Sequence, residues 1–195
     1  MPRTYLDHAA TSPLRPEARD ALLAALVLPG NPSSVHAEGR AARACLEGAR
    51  RAVAARFGVG RDGVVFTGGG TEANALALHQ AGAGGGVALV AATAHPSALA
   101  APDVEPLPVD ARGQSDPAWL ERRLAADPPV ALVSTVAVNN ETGIVDAALP
   151  DLARLARARG ALVHLDRTQD LGDAAYIPAH ADLATVSAHK LGGPK

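Results

Sequence analysis

The protein has 195 residues, 48% hydrophobic and 3% aromatic, with 18 Lys+Arg against 20 Asp+Glu for a formal net charge of −2, which excludes a charge field that steers a protein to nucleic acid or an anionic membrane. A single cysteine, Cys45, excludes a disulfide framework and a multi-cysteine zinc site. No apolar run reaches membrane-spanning length and no signal pattern opens the chain, so a soluble, cytoplasmic α/β protein is expected.

Residues 1–14 read as irregular, with Pro13 and Pro16 bracketing a turn. A helix is expected from Pro16 to Leu28, since proline is tolerated in a first helical turn. The run Pro29-Gly30-Asn31-Pro32 then breaks the chain. A long Ala/Arg helix is predicted from Ser34 to Phe57, with Gly58 as its stop. Cys45 falls inside it and reads as an inert buried thiol. Beyond this point strands and helices alternate. Val64–Thr67, Val87–Ala91, Val104–Val109, Val130–Val136, Ala161–Asp166 and Leu183–Ser187 read as strands. Thr71–Gln80, Pro117–Ala126 and Pro150–Arg159 read as helices, and Gly82–Gly86 as a surface loop. Short, continuously apolar strands between helices predict a mainly parallel sheet covered on both faces. Ligands of such sheets bind at the carboxyl ends of the strands.

The candidate residues lie just after strands. Gly68-Gly69-Gly70-Thr71 joins a strand to a helix start, where free N–H groups and the positive end of the helix dipole suit a phosphate. Its glycine spacing matches neither the dinucleotide nor the P-loop pattern, so an ordinary turn is the alternative. His95 follows Val87–Ala91 and could stack on a planar ligand, move protons, or merely cap a helix. Asn139-Asn140-Glu141-Thr142-Gly143 has normal turn chemistry, though an amide there could meet a ring oxygen. His164 and Asp166 share a strand face, but two ligands are too few for a metal. Asp166 beside Gln169 better suits a cationic ring nitrogen. Lys190 stands past the strand Leu183–Ser187. A lysine partly withdrawn from water is made nucleophilic, as Schiff-base chemistry requires; a solvated loop lysine is the alternative. Jointly these are the parts needed to hold pyridoxal 5′-phosphate.

Tyr5-Leu6-Asp7-His8-Ala9-Ala10-Thr11, Gly30-Asn31-Pro32-Ser33-Ser34-Val35-His36, Thr67–Asn74, Asn139–Gly143, Asp166 with Gln169, and Ser187–Pro194 together resemble the cysteine desulfurases of the class V aminotransferases. The resemblance implies a fold-type I pyridoxal-phosphate architecture, with residues 1–14 on the small-domain side and 15–195 in the cofactor-binding large domain. It implies Lys190 as the Schiff-base lysine, Asp166 against the pyridine N–H, and Gln169 and Asn140 near the phenolic oxygen. His95 would stack on the ring and move protons. Gly70, Thr71, Ser187 and His189 would hold the phosphate, and Asn31 and His36 would lie on the substrate side. The implied reaction converts L-cysteine to L-alanine and passes sulfur on as a persulfide toward iron–sulfur cluster assembly, in a homodimer.

The sequence also departs from that pattern. It holds about half of the family's length, without the persulfide-forming cysteine, so inactivity alone is expected unless a complementing C-terminal half joins it. A strand that the family inserts between Val64–Thr67 and Leu183–Ser187 is missing too, which predicts unpaired edges and a marginal, aggregation-prone protein. Arg167 stands where a small residue is usual and could crowd the cofactor or pair with Asp166. A selenocysteine lyase and a non-catalytic cofactor-binding remnant are the alternative readings.

Overall fold

The structure is a computed structural model that describes residues 3–83, 85–170 and 179–195. Two compact units emerge, residues 3–66 with 188–195, and residues 67–187.

The second unit is a five-stranded parallel sheet. Its strands are β1 (Val87–Ala91), β2 (Val104–Leu107), β3 (Val130–Val136), β4 (Leu162–Asp166) and β5 (Leu183–Thr185), in the order β2-β1-β3-β4-β5. Register alternates their side chains between two apolar layers. Leu89, Val133, Val163 and Leu165 face one layer with Leu120, Leu149, Leu152, Ala153 and Ala156. Ala88, Val90 and Leu132 face the other with Leu78 and Ala98. Helices α5 (Pro117–Leu124) and α6 (Leu149–Ala158) thus cover one face, and α3 (Gly70–Ala83) and α4 (Pro96–Leu99) the other. This is the expected doubly covered parallel sheet. Helix α5 starts where Asp116 accepts from the Trp119 N–H at 3.0 Å and Pro117 takes the first turn. Its Arg123 grips Glu105 of β2 through two bonds of 2.7 and 2.9 Å, and the guanidinium holds that carboxyl below its usual range.

The first unit contains α1 (Pro16–Leu26) and α2 (Ala37–Phe57). Gly58 ends α2 in the left-handed conformation, φ 64°, as its sequence position predicts. The helix begins at Ala37 and not at Ser34, because Asn31 organises a turn first. The Ser33 N–H donates to Asn31 Oδ1 and the Ser34 N–H to Asn31 O, both at 2.9 Å. His36 then caps α2, its Nδ1 accepting from the Gly39 N–H at 3.3 Å.

Four further expectations need correction. Val64–Thr67 forms no strand: Val65 and Phe66 are 67% and 46% exposed, and the Val64 carbonyl is taken by the Arg50 guanidinium. The residue types suit a strand, but the run enters no ladder among the described residues, and pairing is what makes a strand. β2 stops at Leu107, the last residue paired with β1, and the Pro108 carbonyl turns to accept from the Asp116 N–H at 3.1 Å. The glycine-rich loop is shorter than predicted, because α3 runs on to Ala83; Gly84 lies outside the described residues. Cys45 is exposed, because α2 buries only Gly39, Ala42 and Ala54.

Candidate cofactor site

The parallel sheet brings the carboxyl ends of β1, β3 and β4 to one edge, and the sequence-predicted His95, Asn140, Asp166 and Gln169 follow those ends, whereas Gly70 and Thr71 open α3 without a strand before them and Ser187 follows β5. Asp166 ends β4 and is 7% exposed. Its Oδ1 accepts from the Thr168 N–H at 2.9 Å and from the Thr168 hydroxyl, while Oδ2 accepts from Asn74 Nδ2 at 2.9 Å. The carboxylate is therefore clamped in one orientation by three donated hydrogen bonds.

Asn74 carries much of this geometry, and the sequence reading gave it no role. It is 2% exposed on α3, one helical turn past Gly70. Asn74, Ala77 and Leu78 are spaced i, i+3, i+4 and are all buried, so periodicity alone could have marked Asn74 as an inward-facing polar residue. Its Oδ1 is buried without a hydrogen-bond partner. Its second amide hydrogen goes to Ser97 Oγ at 3.0 Å, and Ser97 Oγ lies 2.8 Å from His95 Nδ1. His95 is the N-cap of α4 and is exposed.

The glycine turn precedes α3 as predicted. Thr67 Oγ1 donates to Gly69 O at 3.0 Å, and the Gly68 N–H donates to Glu72 in the first turn of α3. A Cβ built on Gly70 would lie 3.6 Å from Ser187 Cβ and 3.7 Å from Thr168 Oγ1, so this helix start faces two hydroxyl side chains. Thr71 is exposed beside it. Free helix N–H groups with flanking hydroxyls fit a phosphate. A clamped carboxylate fits a protonated pyridine nitrogen. The residues of this unit therefore fit pyridoxal 5′-phosphate.

Asn140 lies in the turn after β3 and donates to Glu141 Oε1 at 2.6 Å. Its neighbour Asn139 is the organiser of that turn. It donates to Thr93 O at 2.7 Å and accepts from the Glu141 and Thr142 N–H groups. Gln169 is half-buried. Arg167 does not pair with Asp166: it is fully buried and bonded to Asp170 at 2.6 Å. His164 is an internal core histidine, its ring nitrogens 2.8 Å from Ser134 Oγ and 2.9 Å from Thr185 Oγ1.

Lys190 and His189 belong to the first unit, in a 3₁₀ turn over Ala188–Leu191. The N-terminal segment staples this turn. The Ser12 N–H donates to His189 O and its hydroxyl to Lys190 O, both at 2.9 Å, and the Arg15 N–H donates to Gly192 O at 2.9 Å. Thr11 Oγ1 lies 3.0 Å from His189 Nδ1.

The family model for aminotransferase class-V matches residues 4–195. A cysteine desulfurase of Cereibacter sphaeroides is 41% identical across all of this chain, and the cysteine desulfurase IscS of Dictyoglomus turgidum is 34% identical across 98%. The solved structure of a NifS-like protein from Rickettsia africae superposes on 98% of the chain with a TM-score of 0.88 at 30% identity. The chain spans 54%, 52% and 55% of these three proteins, about half of each. With a match over all but its first three residues, the chain belongs to the aminotransferase class-V family.

Proposed function

We propose that these residues form the pyridoxal 5′-phosphate-binding part of a cysteine desulfurase, which releases sulfur from L-cysteine and leaves L-alanine. The observation that carries the reading is Asp166, a buried carboxylate at the end of β4 held by Asn74 and Thr168. When bound, the cofactor supplies an electron sink for carbon-centred charge. Asp166 would hold a proton on the pyridine nitrogen and so keep the ring electron-poor. The N–H groups at the start of α3, with Thr71, Ser187 and His189, would bind the phosphate, and His95 would face the ring and carry protons. Gln169 and Asn140 would orient the phenolic edge. Lys190 would anchor the cofactor covalently through its Nζ.

The names of the related proteins support L-cysteine as substrate, and the family resemblance is the ground for reading the working assembly as paired copies. Sulfur release requires a thiolate to take the sulfur atom. Cys45, the sole cysteine of the 195 residues, lies exposed on α2 and follows none of the strands that carry the candidate residues. The residues present are therefore expected to bind cofactor without releasing sulfur by themselves.

Adding pyridoxal 5′-phosphate to the purified chain tests the cofactor reading. A visible absorption band that disappears in Lys190→Ala and weakens in Asp166→Ala is the expected result. Soluble, folded protein with no Lys190-dependent band would overturn it.

A further inference from the structure

Four side chains of the second unit form one hydrogen-bonded string from Asp166 to the imidazole of His95. Asn74 donates both hydrogens of Nδ2, one to Asp166 Oδ2 at 2.9 Å and the other to Ser97 Oγ at 3.0 Å. Turning this amide over would set Oδ1 against the Asp166 carboxylate, acceptor facing acceptor, so its orientation is determined. The Ser97 hydroxyl accepts from Asn74 and has its own proton left for another neighbour. That neighbour is His95 Nδ1, 2.8 Å away. The Ser97 backbone N–H donates to the same Nδ1 at 3.1 Å. A ring nitrogen that receives two donors carries no proton of its own, so the neutral imidazole bears its hydrogen on Nε2.

We propose that Ser97 is a positioning residue: its hydroxyl, oriented by Asn74 and through it by Asp166, holds His95 in the Nε2–H tautomer. His95 then offers a hydrogen-bond donor at Nε2. The importance of this for chemistry rests on the cofactor reading above, but the tautomer itself belongs to the chain without cofactor.

Two-bond proton–nitrogen correlation spectra of the full chain, labelled with 15N-histidine and free of cofactor at pH 8, read the tautomer directly. The His95 signals are assigned by their loss in His95→Gln. The wild type is expected to show an unprotonated Nδ1 and a protonated Nε2. In Ser97→Ala both nitrogen resonances should move toward the averaged positions of a tautomer mixture. Asn74→Ala, checked for fold by circular dichroism, should do the same, and Ser97→Thr should restore the wild-type pattern. A protonated Nδ1 in the wild type overturns the proposal. So does a Ser97→Ala spectrum identical to wild type, which would leave the backbone cap alone in control. Failure of the cofactor to bind would leave these signals unchanged, so the two readings fail separately.

Discussion

His164 is wholly buried, and hydroxyls sit against both of its ring nitrogens. Burial disfavours the imidazolium and lowers its pKa from 6.5 to about 4, against a smaller opposing pull from the Asp166 charge. Between those two values the unfolded chain binds the proton and the folded chain does not. Stability is therefore full above pH 6.5 and falls as pH drops toward 4, by on the order of 3 kcal/mol. Urea midpoints at pH 7.5, 6 and 5 should fall in that order, and the fall should shrink in His164→Gln. Thr185→Val leaves Nε2 without its hydroxyl in a buried place and should cost about 1–3 kcal/mol at pH 7.5. Among single residues, the sequence marked Asp166 and His95 by their positions after strands. It missed Asn74 and Ser97, because a carboxylate's clamp is built from elements far apart in the chain. It also left open whether Arg167 pairs with Asp166, and the loop geometry gives that guanidinium to Asp170.

At the scale of elements, patterning was most legible where one face is buried. Helix α6 buries Leu149, Leu152, Ala153 and Ala156, a spacing that a reader of the sequence finds directly. Leu152→Ala should lower the unfolding free energy by about 2–5 kcal/mol, measured by denaturant titration of the sheet unit. The Lys190 turn depends instead on a backbone requirement. Gly192 has φ +80°, and a Cβ there would lie 2.4 Å from Arg15 Cγ and 3.1 Å from Pro13 O. Gly192→Ala should strain the turn by about 1–2 kcal/mol or more. Hydrogen exchange of the Ser12 and Arg15 amides, both donors to this turn, should speed up severalfold in that variant, while exchange in β3 stays unchanged. Val64–Thr67 shows the opposite limit. Its residues have strand propensity, yet a strand needs a neighbouring backbone, which propensity does not supply.

Over the whole molecule, apolar burial is uneven. The sheet unit holds both buried clusters found among the described residues, whereas α1 buries no residue and exposes Leu22, Leu23 and Leu26, with Val27 exposed just after it. An apolar patch of this kind favours association in water. Sedimentation should show concentration-dependent association of the wild type that diminishes in the double variant Leu23→Glu, Leu26→Glu. Unchanged sedimentation would remove the patch as its cause. Among the described residues no helix is long and apolar enough to cross a membrane.

Composition and periodicity were sufficient to determine a parallel α/β sheet, most strand and helix positions to within a few residues, and the motifs that follow β1, β3 and β4. Those properties are local: alternating apolar runs, a capping aspartate, a glycine stop and a proline at a helix start act within a few residues of themselves. Tertiary structure alone decided which strand-like run joins the sheet, that Asn74 reaches Asp166 from α3, that Asn74 links Ser97 and so His95 to the same carboxylate, and that the N-terminal segment holds the Lys190 turn. Each of these is a hydrogen bond or ladder between groups distant in sequence. Whether such a bond forms depends on where the packed layers place its two ends, which no local pattern encodes.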